Sequence, residues 1–65
     1  MKSRYDAEAD ALYGQLAEAR VVGSEEVRPG IVLDLDDAGR VVGIEILDAS
    51  RHVAEGAEFA HPVAA

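Results

Sequence analysis

The sequence predicts a small domain of the α+β class that is mainly antiparallel β-sheet. Three observations predict it: two runs rich in β-branched residues, a tight acidic connection between them, and a helix-start pattern after the second run. The runs are residues 31–35 and 41–46, and residues 36–39, Asp-Asp-Ala-Gly, join them. Asp at the start of such a connection and Gly at its end are typical of a type I turn closed by a left-handed residue. We therefore expect a central hairpin over residues 30–47.

The register of this hairpin is predicted from its apolar side chains, because a one-residue slip moves every side chain to the other face. A three-residue loop would split the aliphatic set between the two faces, whereas a four-residue loop over 36–39 keeps it together. The four-residue loop gives the pairs Leu35–Arg40, Leu33–Val42 and Ile31–Ile44. The predicted core face then contains Ile31, Leu33, Leu35, Val42, Ile44 and Ile46.

The reverse face of the hairpin is more apolar than a solvated surface. It carries Val32, Val41 and Leu47 beside only two carboxylates, Asp34 and Glu45. Because an apolar patch of this kind marks a contact surface, we expect the C-terminal segment or a second copy of the chain to cover part of it.

The segments around the hairpin are less sharply patterned. Residues 2–5 read as an edge strand and 6–10 as an acidic turn. Propensity and spacing favour a helix slightly for residues 11–16, whereas Gly14, which costs about 1 kcal/mol inside a helix, supports a strand. Residues 17–28 are expected to form a short irregular strand or a loop. Asp48 or Ser50 is expected to cap a helical turn over 50–55 that ends at Gly56.

Length and cysteine content bound the architecture. The 65 residues predict one domain over 1–56 and a tail over 57–65, docked through Phe59 or disordered. A chain this short buries only about 60% of its unfolded surface. It has no cysteine, which excludes disulfides and thiolate metal sites, so oligomerisation is the expected source of extra stability. We expect a homodimer or higher homo-oligomer.

The charge balance limits the partners. A net charge of −7 with six scattered basic residues disfavours nucleic acid, which needs clustered Lys and Arg. It suits a basic protein partner. The first twenty residues lack the apolar centre of a signal peptide, and no run reaches the roughly 18 apolar residues of a membrane span. We expect a cytoplasmic protein without membrane contact.

The spacing of three carboxylates imitates a calcium-binding loop. Asp34, Asp36 and Glu45 stand at the first, third and twelfth positions of such a loop, but its fifth position is Ala38. The predicted register also separates Asp34 from Glu45 along the strand by about 13 Å. We therefore expect no metal ion there, and the same separation argues against an acid–base pair.

Other chemical patterns are weaker still. Asp48, Ser50 and His52 suggest a triad only by their proximity in the chain, and His52 and His61 lack a third ligand for zinc. We predict no catalytic residue and no cofactor. The candidate interaction residues are Tyr13, Val32, Asp34, Val41, Glu45, Leu47, Asp48 and Ser50.

Several stretches resemble a small bacterial family, the domain of unknown function numbered 2283. They are YD and EADALY at 5–6 and 8–13, PGIVLD at 29–34, DDAG at 36–39 and GIEILDAS at 43–50. The resemblance covers about the first fifty residues and implies a compact antiparallel β-meander with a C-terminal helical turn. It favours a strand for 11–16, although Gly14 stands where the family has an apolar β-branched residue. It implies no reaction. Because some members resemble neighbours of toxin-type genes, the resemblance suggests an antitoxin-like role.

Two functions follow as hypotheses. The first is a non-catalytic interaction protein that self-associates and binds a protein partner, which rests on the small size, the half-apolar reverse face and the acidic charge. The alternative is a small-molecule binding module or minor enzyme that uses Tyr13, Asp34, Glu45 and Asp48 at a subunit junction.

Overall fold

A computed structural model describes residues 1–56 as one five-stranded antiparallel sheet followed by a helical turn. The strand order in the sheet is β1-β2-β5-β4-β3. The predicted, mainly antiparallel β fold with a C-terminal helical turn is therefore confirmed, whereas the prediction for the tail lies outside the described residues. The elements are β1 (Lys2–Asp6), β2 (Ala11–Gln15), β3 (Gly23–Arg28), β4 (Ile31–Leu35), β5 (Val41–Leu47) and α1 (Ala49–His52).

The sheet combines a meander with a separate hairpin. Strands β3, β4 and β5 follow one another in space as in the chain, and the β1–β2 hairpin adds to the free edge of β5. The strand expected from the family resemblance at 11–16 is present as β2. Leu12, for example, lies between Tyr5 of β1 and Ile46 of β5. Pairing on both sides overrides the helix propensity of this segment.

The predicted register of the β4–β5 hairpin is wrong. Asp36 N–H donates to Arg40 O at 2.9 Å, which closes a loop of three residues, 37–39. Gly39 then adopts the expected left-handed conformation with φ 78. The pairing shifts between Asp34 and Leu35. The observed pairs are Leu35–Val41, Leu33–Ile44 and Ile31–Ile46, in place of Leu35–Arg40, Leu33–Val42 and Ile31–Ile44.

This shift explains how a three-residue loop still keeps the aliphatic residues together. A bulge inserts one unpaired residue and thereby restores the alternation of β5 relative to β4. It also places Val41 opposite Leu35 rather than among the residues of the reverse face. The face of the sheet that carries these residues is here called the aliphatic face. It contains Tyr5, Leu12, Ile31, Leu33, Leu35, Ile44 and Ile46.

Burial is shallow over residues 1–56. Val42 and Ala49 are the apolar residues that are buried there, each 2% exposed, whereas the members of the aliphatic face are only half-buried. A sheet normally buries its apolar face under a second layer. In the described part of the chain, the single helical turn α1 is the only helix available to cover this face.

No helix of this part is long and apolar enough to cross a membrane.

Candidate functional site

The reverse side of the sheet, here called the polar face, carries five of the eight candidate interaction residues. Tyr13 of β2 lies opposite Glu45 of β5, which lies opposite Val32 of β4. Asp34 lies one row away, opposite Gly43. Leu47 ends β5 on the same face, opposite Ala11. The structure thus brings Tyr13, Val32, Asp34, Glu45 and Leu47 together.

Asp34 and Glu45 are neighbours, so the predicted separation of about 13 Å along a strand is wrong. Because Asp34 faces Gly43, Glu45 is its diagonal neighbour, and diagonal neighbours lie within reach of long side chains. A hydrogen bond between the two carboxyl groups raises the pKa of Glu45, and partial burial and the charge of Asp34 raise it further. The bulge is the feature that sequence reasoning missed here.

Tyr13 covers the glycine that lies beside this pair. A Cβ atom on Gly43 would stand 2.6 Å from the Tyr13 hydroxyl oxygen and 2.9 Å from Gly14 O. The phenol therefore occupies the space that any other residue would need. Asp34 lies directly opposite Gly43 and is 5% exposed. Within residues 1–56 it is the one charged residue that is buried. Tyr13, Asp34 and Glu45 form a compact group, here called the acid pair with its tyrosine.

The third carboxylate of the calcium-like spacing is engaged elsewhere. Asp36 Oδ1 accepts hydrogen bonds from Ala38 N–H at 2.9 Å and Arg40 N–H at 2.8 Å, so this side chain builds the hairpin turn as its sequence position suggests. Residues 1–56 contain no group of three or more His, Asp or Glu side chains placed to hold a metal ion.

A second cluster forms where the β1–β2 turn meets α1. Asp10 accepts hydrogen bonds from the Tyr5 hydroxyl at 2.7 Å and from the Ser50 hydroxyl at 2.6 Å. Its carboxylate also accepts from Ser50 N–H at 3.1 Å, and its carbonyl from Ala49 N–H at 2.8 Å. The bonds from Ser50 and then Tyr5 hold the pKa of Asp10 below its ordinary value. The bond to Asp10 raises the pKa of Tyr5.

Comparison with family models decides the family. The model described as "Protein of unknown function (DUF2283)" matches residues 2–50, which cover all five strands and both carboxylate clusters. The chain belongs to the DUF2283 family. Comparisons with curated proteins and with solved structures returned no significant match. For this DUF2283 chain, function must therefore be argued from the described geometry.

The capping pattern of the DUF2283 chain differs from the predicted one. Asp48 stands at the N-cap position of α1 with φ 50, and its side chain makes no capping hydrogen bond. Ser50 does not cap either, because its N–H and hydroxyl both donate to Asp10. Asp10 therefore satisfies the free N–H groups of the helical turn from forty positions away in the chain. The turn is also shorter than predicted, since α1 ends at His52.

The same contacts place the suspected triad residues apart. Ser50 is bound to Asp10, whereas the His52 Nδ1 atom lies 2.7 Å from Leu47 O. The His52 ring packs against Gly30, where an added Cβ would stand 2.7 Å from Cε1.

Sequence reasoning missed Asp10 because its local signal is weak. An aspartate at the end of an acidic turn is expected to bond locally, as Asp6 does when it accepts a hydrogen bond from Glu8 N–H at 3.0 Å.

Two clefts of the DUF2283 chain flank α1. One of about 320 Å³ lies between Tyr5 and the segment 53–56, with Ser50 in its wall. The other, of about 520 Å³, lies between Ile31 and His52. Neither of these two clefts borders the acid pair with its tyrosine, which lies on the opposite face of the sheet.

Proposed function

We propose that this DUF2283 chain is a non-catalytic interaction domain that self-associates and binds a protein partner. One observation carries the proposal: in residues 1–56 a single helical turn accompanies the aliphatic face, and Val42 and Ala49 alone among the apolar residues there are buried. Apolar surface gains roughly 25 cal/mol for each Å² removed from water. A half-buried aliphatic sheet face is therefore a strong driving force for association.

Exposed aliphatic residues extend this face at one end of the sheet. Leu16, Val21, Val22 and Val41 are 49%, 44%, 54% and 39% exposed. Leu16 and Val22 are anchored beside Val41, since Leu16 N–H donates to Val42 O, Val22 N–H donates to Leu35 O, and Leu35 lies opposite Val41. This group, here called the end patch, is continuous with the aliphatic face through Leu35 and favours contact with another molecule.

A second copy of the chain fits this surface. The 65 residues contain no cysteine, and small scaffolds without a disulfide or metal commonly gain stability by oligomerising. The rim of the aliphatic face carries one charge of each sign on β3, because Glu25 lies opposite Leu33 and Arg28 opposite Ile31. A two-fold axis brings the same patch of two copies together, so Glu25 of one copy can meet Arg28 of the other.

The partner of the polar face is a basic protein, which makes an antitoxin-like role the simplest interpretation of the binding activity. Glu26 and Glu45 offer accessible carboxylates on this face, where Asp34 is buried, and the chain carries a net charge of −7. Acidic surfaces steer basic partners and align them by charge. Self-association through the aliphatic face leaves the polar face available.

Sedimentation of the full-length chain tests self-association. We expect a dimer or a higher oligomer at micromolar concentration. Val41→Lys, in the end patch, should weaken it by roughly tenfold or more, about 1.4 kcal/mol. Val27→Lys is the matched control, because Val27 is 46% exposed on the edge strand β3 and lies outside the end patch. A wild-type chain that sediments as a monomer would contradict the proposal.

Affinity purification from the native cell tests the partner. A basic protein should co-elute with the chain and dissociate as salt is added, because exposed charge pairs are screened at high ionic strength. The double variant Glu26→Gln and Glu45→Gln should retain less of it than the wild type. Retention of an acidic protein that resists salt would contradict the assignment of the polar face.

The convergence of Tyr13, Asp34 and Glu45 favours one alternative, a small-molecule site or a minor enzyme at a subunit junction. Asp48, the fourth residue of that hypothesis, lies outside this group at the N-cap position of α1. Screening of cationic small molecules by NMR tests it. Resonance shifts confined to the acid pair with its tyrosine would support the alternative. If no compound shifted these resonances, the alternative would be rejected.

A further inference from the structure

We propose that Asp34 and Glu45 form a proton-linked switch in the central hairpin. A proton shared by the two carboxyl groups holds β4 and β5 together across the polar face, and loss of this proton loosens the same two strands. The inference does not depend on self-association, because both residues belong to one chain and lie on the face opposite the aliphatic one.

The position of the pair makes the proton important. Asp34 is 5% exposed and lies in β4, which pairs on both sides within the sheet. The Tyr13 phenol fills the space above Gly43, the residue opposite Asp34. Water therefore has little access to Asp34. Two carboxylates repel more strongly in such a partly dry environment than in water.

The other groups on the polar face do not neutralise the pair. Within residues 1–56 the one ion pair joins the Lys2 ammonium group to the Glu18 carboxylate at 3.3 Å. Glu26 of β3 accepts a hydrogen bond from Gly30 N–H at 3.1 Å. In this part of the chain Asp34 and Glu45 therefore have each other and no cation within ion-pair distance. The titratable or charged groups that face the pair from the neighbouring strands are Lys2, Arg4 and Asp6 of β1, Tyr13 of β2 and Glu26 of β3.

The sign of the pH dependence follows from this arrangement. The hydrogen bond with Asp34, followed by partial burial and the charge of Asp34, raises the pKa of Glu45 in the folded chain. A group with a raised pKa contributes stability that is complete below its unfolded pKa, about 4.3 for Glu. This contribution is lost as the pH rises through the folded pKa. The hairpin is therefore tightest in mild acid.

Urea unfolding of the full chain between about pH 4 and pH 8 tests the switch, where Glu titrates when its pKa is raised. Wild type should show a falling urea midpoint as the pH rises. Glu45→Gln keeps an N–H donor for Asp34 and removes the titration, so its midpoint should fall less and exceed that of wild type near neutral pH. Glu8→Gln removes the same charge at an exposed turn position and should follow the wild-type slope.

Equal slopes for Glu45→Gln and Glu8→Gln would overturn the proposal, because the pH dependence would then reflect net charge alone. If Glu45→Gln does not fold, carboxyl-carbon NMR of the wild type provides a separate test. The pKa of Glu45 should lie above about 4.3, the ordinary value for Glu. A Glu45 titration midpoint at or below that value would overturn the proposal without any variant.

Discussion

Asp10 and Asp34 show how the same side chain acquires opposite roles at the edge and the centre of one sheet. Asp10 ends an exposed turn and faces donors, the hydroxyls of Tyr5 and Ser50. Asp34 is buried and faces another carboxyl, that of Glu45. At the edge, the negative charge itself is useful because it caps α1. At the centre, the charge of Asp34 opposes ionisation of its neighbour and helps to raise the pKa of Glu45.

The two regions therefore respond to pH in opposite directions. The donors from Ser50 and Tyr5 lower the pKa of Asp10, so its contribution is present above the unfolded Asp pKa of about 3.9 and is lost as the pH falls through the folded value. The raised pKa of Glu45 makes its contribution decline as the pH rises. The chain should therefore be most stable between these two titrations.

The largest expected effect comes from Gly43→Ala, which tests the close packing at the centre. The new Cβ would meet the Tyr13 hydroxyl at 2.6 Å and Gly14 O at 2.9 Å. Backbone at that distance cannot yield without a shift of β2, so we expect a loss of about 1–3 kcal/mol in the free energy of unfolding, as for overpacked cores. Urea unfolding measures it.

Gly23→Ala is the matched control. Gly23 is also a strand glycine, and a Cβ placed there meets nothing within 4 Å. Its unfolding free energy should stay within about 0.5 kcal/mol of wild type, as for ordinary surface substitutions. Equal losses for the two variants would mean that Tyr13 does not pack on Gly43 in solution, and the dry environment assigned to Asp34 would be lost with it.

The central hairpin illustrates what the sequence could predict. The β-branched runs, the Asp36 turn and the left-handed Gly39 follow from local chemistry, and the structure contains all three. The bulge next to Leu35 could not be predicted, because it changes pairing without a residue type that marks it. Since register determines which side chains are neighbours, one missed bulge reversed the conclusion about Asp34 and Glu45.

The edge cluster illustrates a different limit. Local patterns place a cap within a few residues of its helix, and Asp48 and Ser50 satisfied that rule in the sequence. The observed cap comes from Asp10 because the strand order brings the β1–β2 turn beside the end of β5. Such a contact depends on tertiary topology, which the family resemblance implied only as a meander and not strand by strand.

An intermediate effect is expected for Asp10→Asn at the edge. Asn tolerates the left-handed conformation that Asp10 adopts, with φ 53, and its side-chain oxygen can still accept a hydrogen bond. The charge is lost, so the decline of stability in acid that belongs to Asp10 should disappear, and the variant should be less stable than wild type near neutral pH. Thermal unfolding between about pH 2 and pH 7, across the normal range of Asp titration, measures both. If the stability of the variant declined in acid as much as that of wild type, the role given to Asp10 would be contradicted.

The smallest effect is expected for Tyr5→Phe, which removes one of the donors to Asp10 and keeps the ring. The pKa of Asp10 should move back towards its ordinary value but not reach it, because the bonds from Ser50 lower it most. Carboxyl-carbon NMR of Asp10 measures the change. Tyr13→Phe is the control, since Tyr13 lies on the polar face opposite Glu45 and should leave the Asp10 titration unaltered. If Tyr13→Phe moved Asp10 as much as Tyr5→Phe does, the edge and the centre would be coupled through the sheet and could not be treated as independent regions.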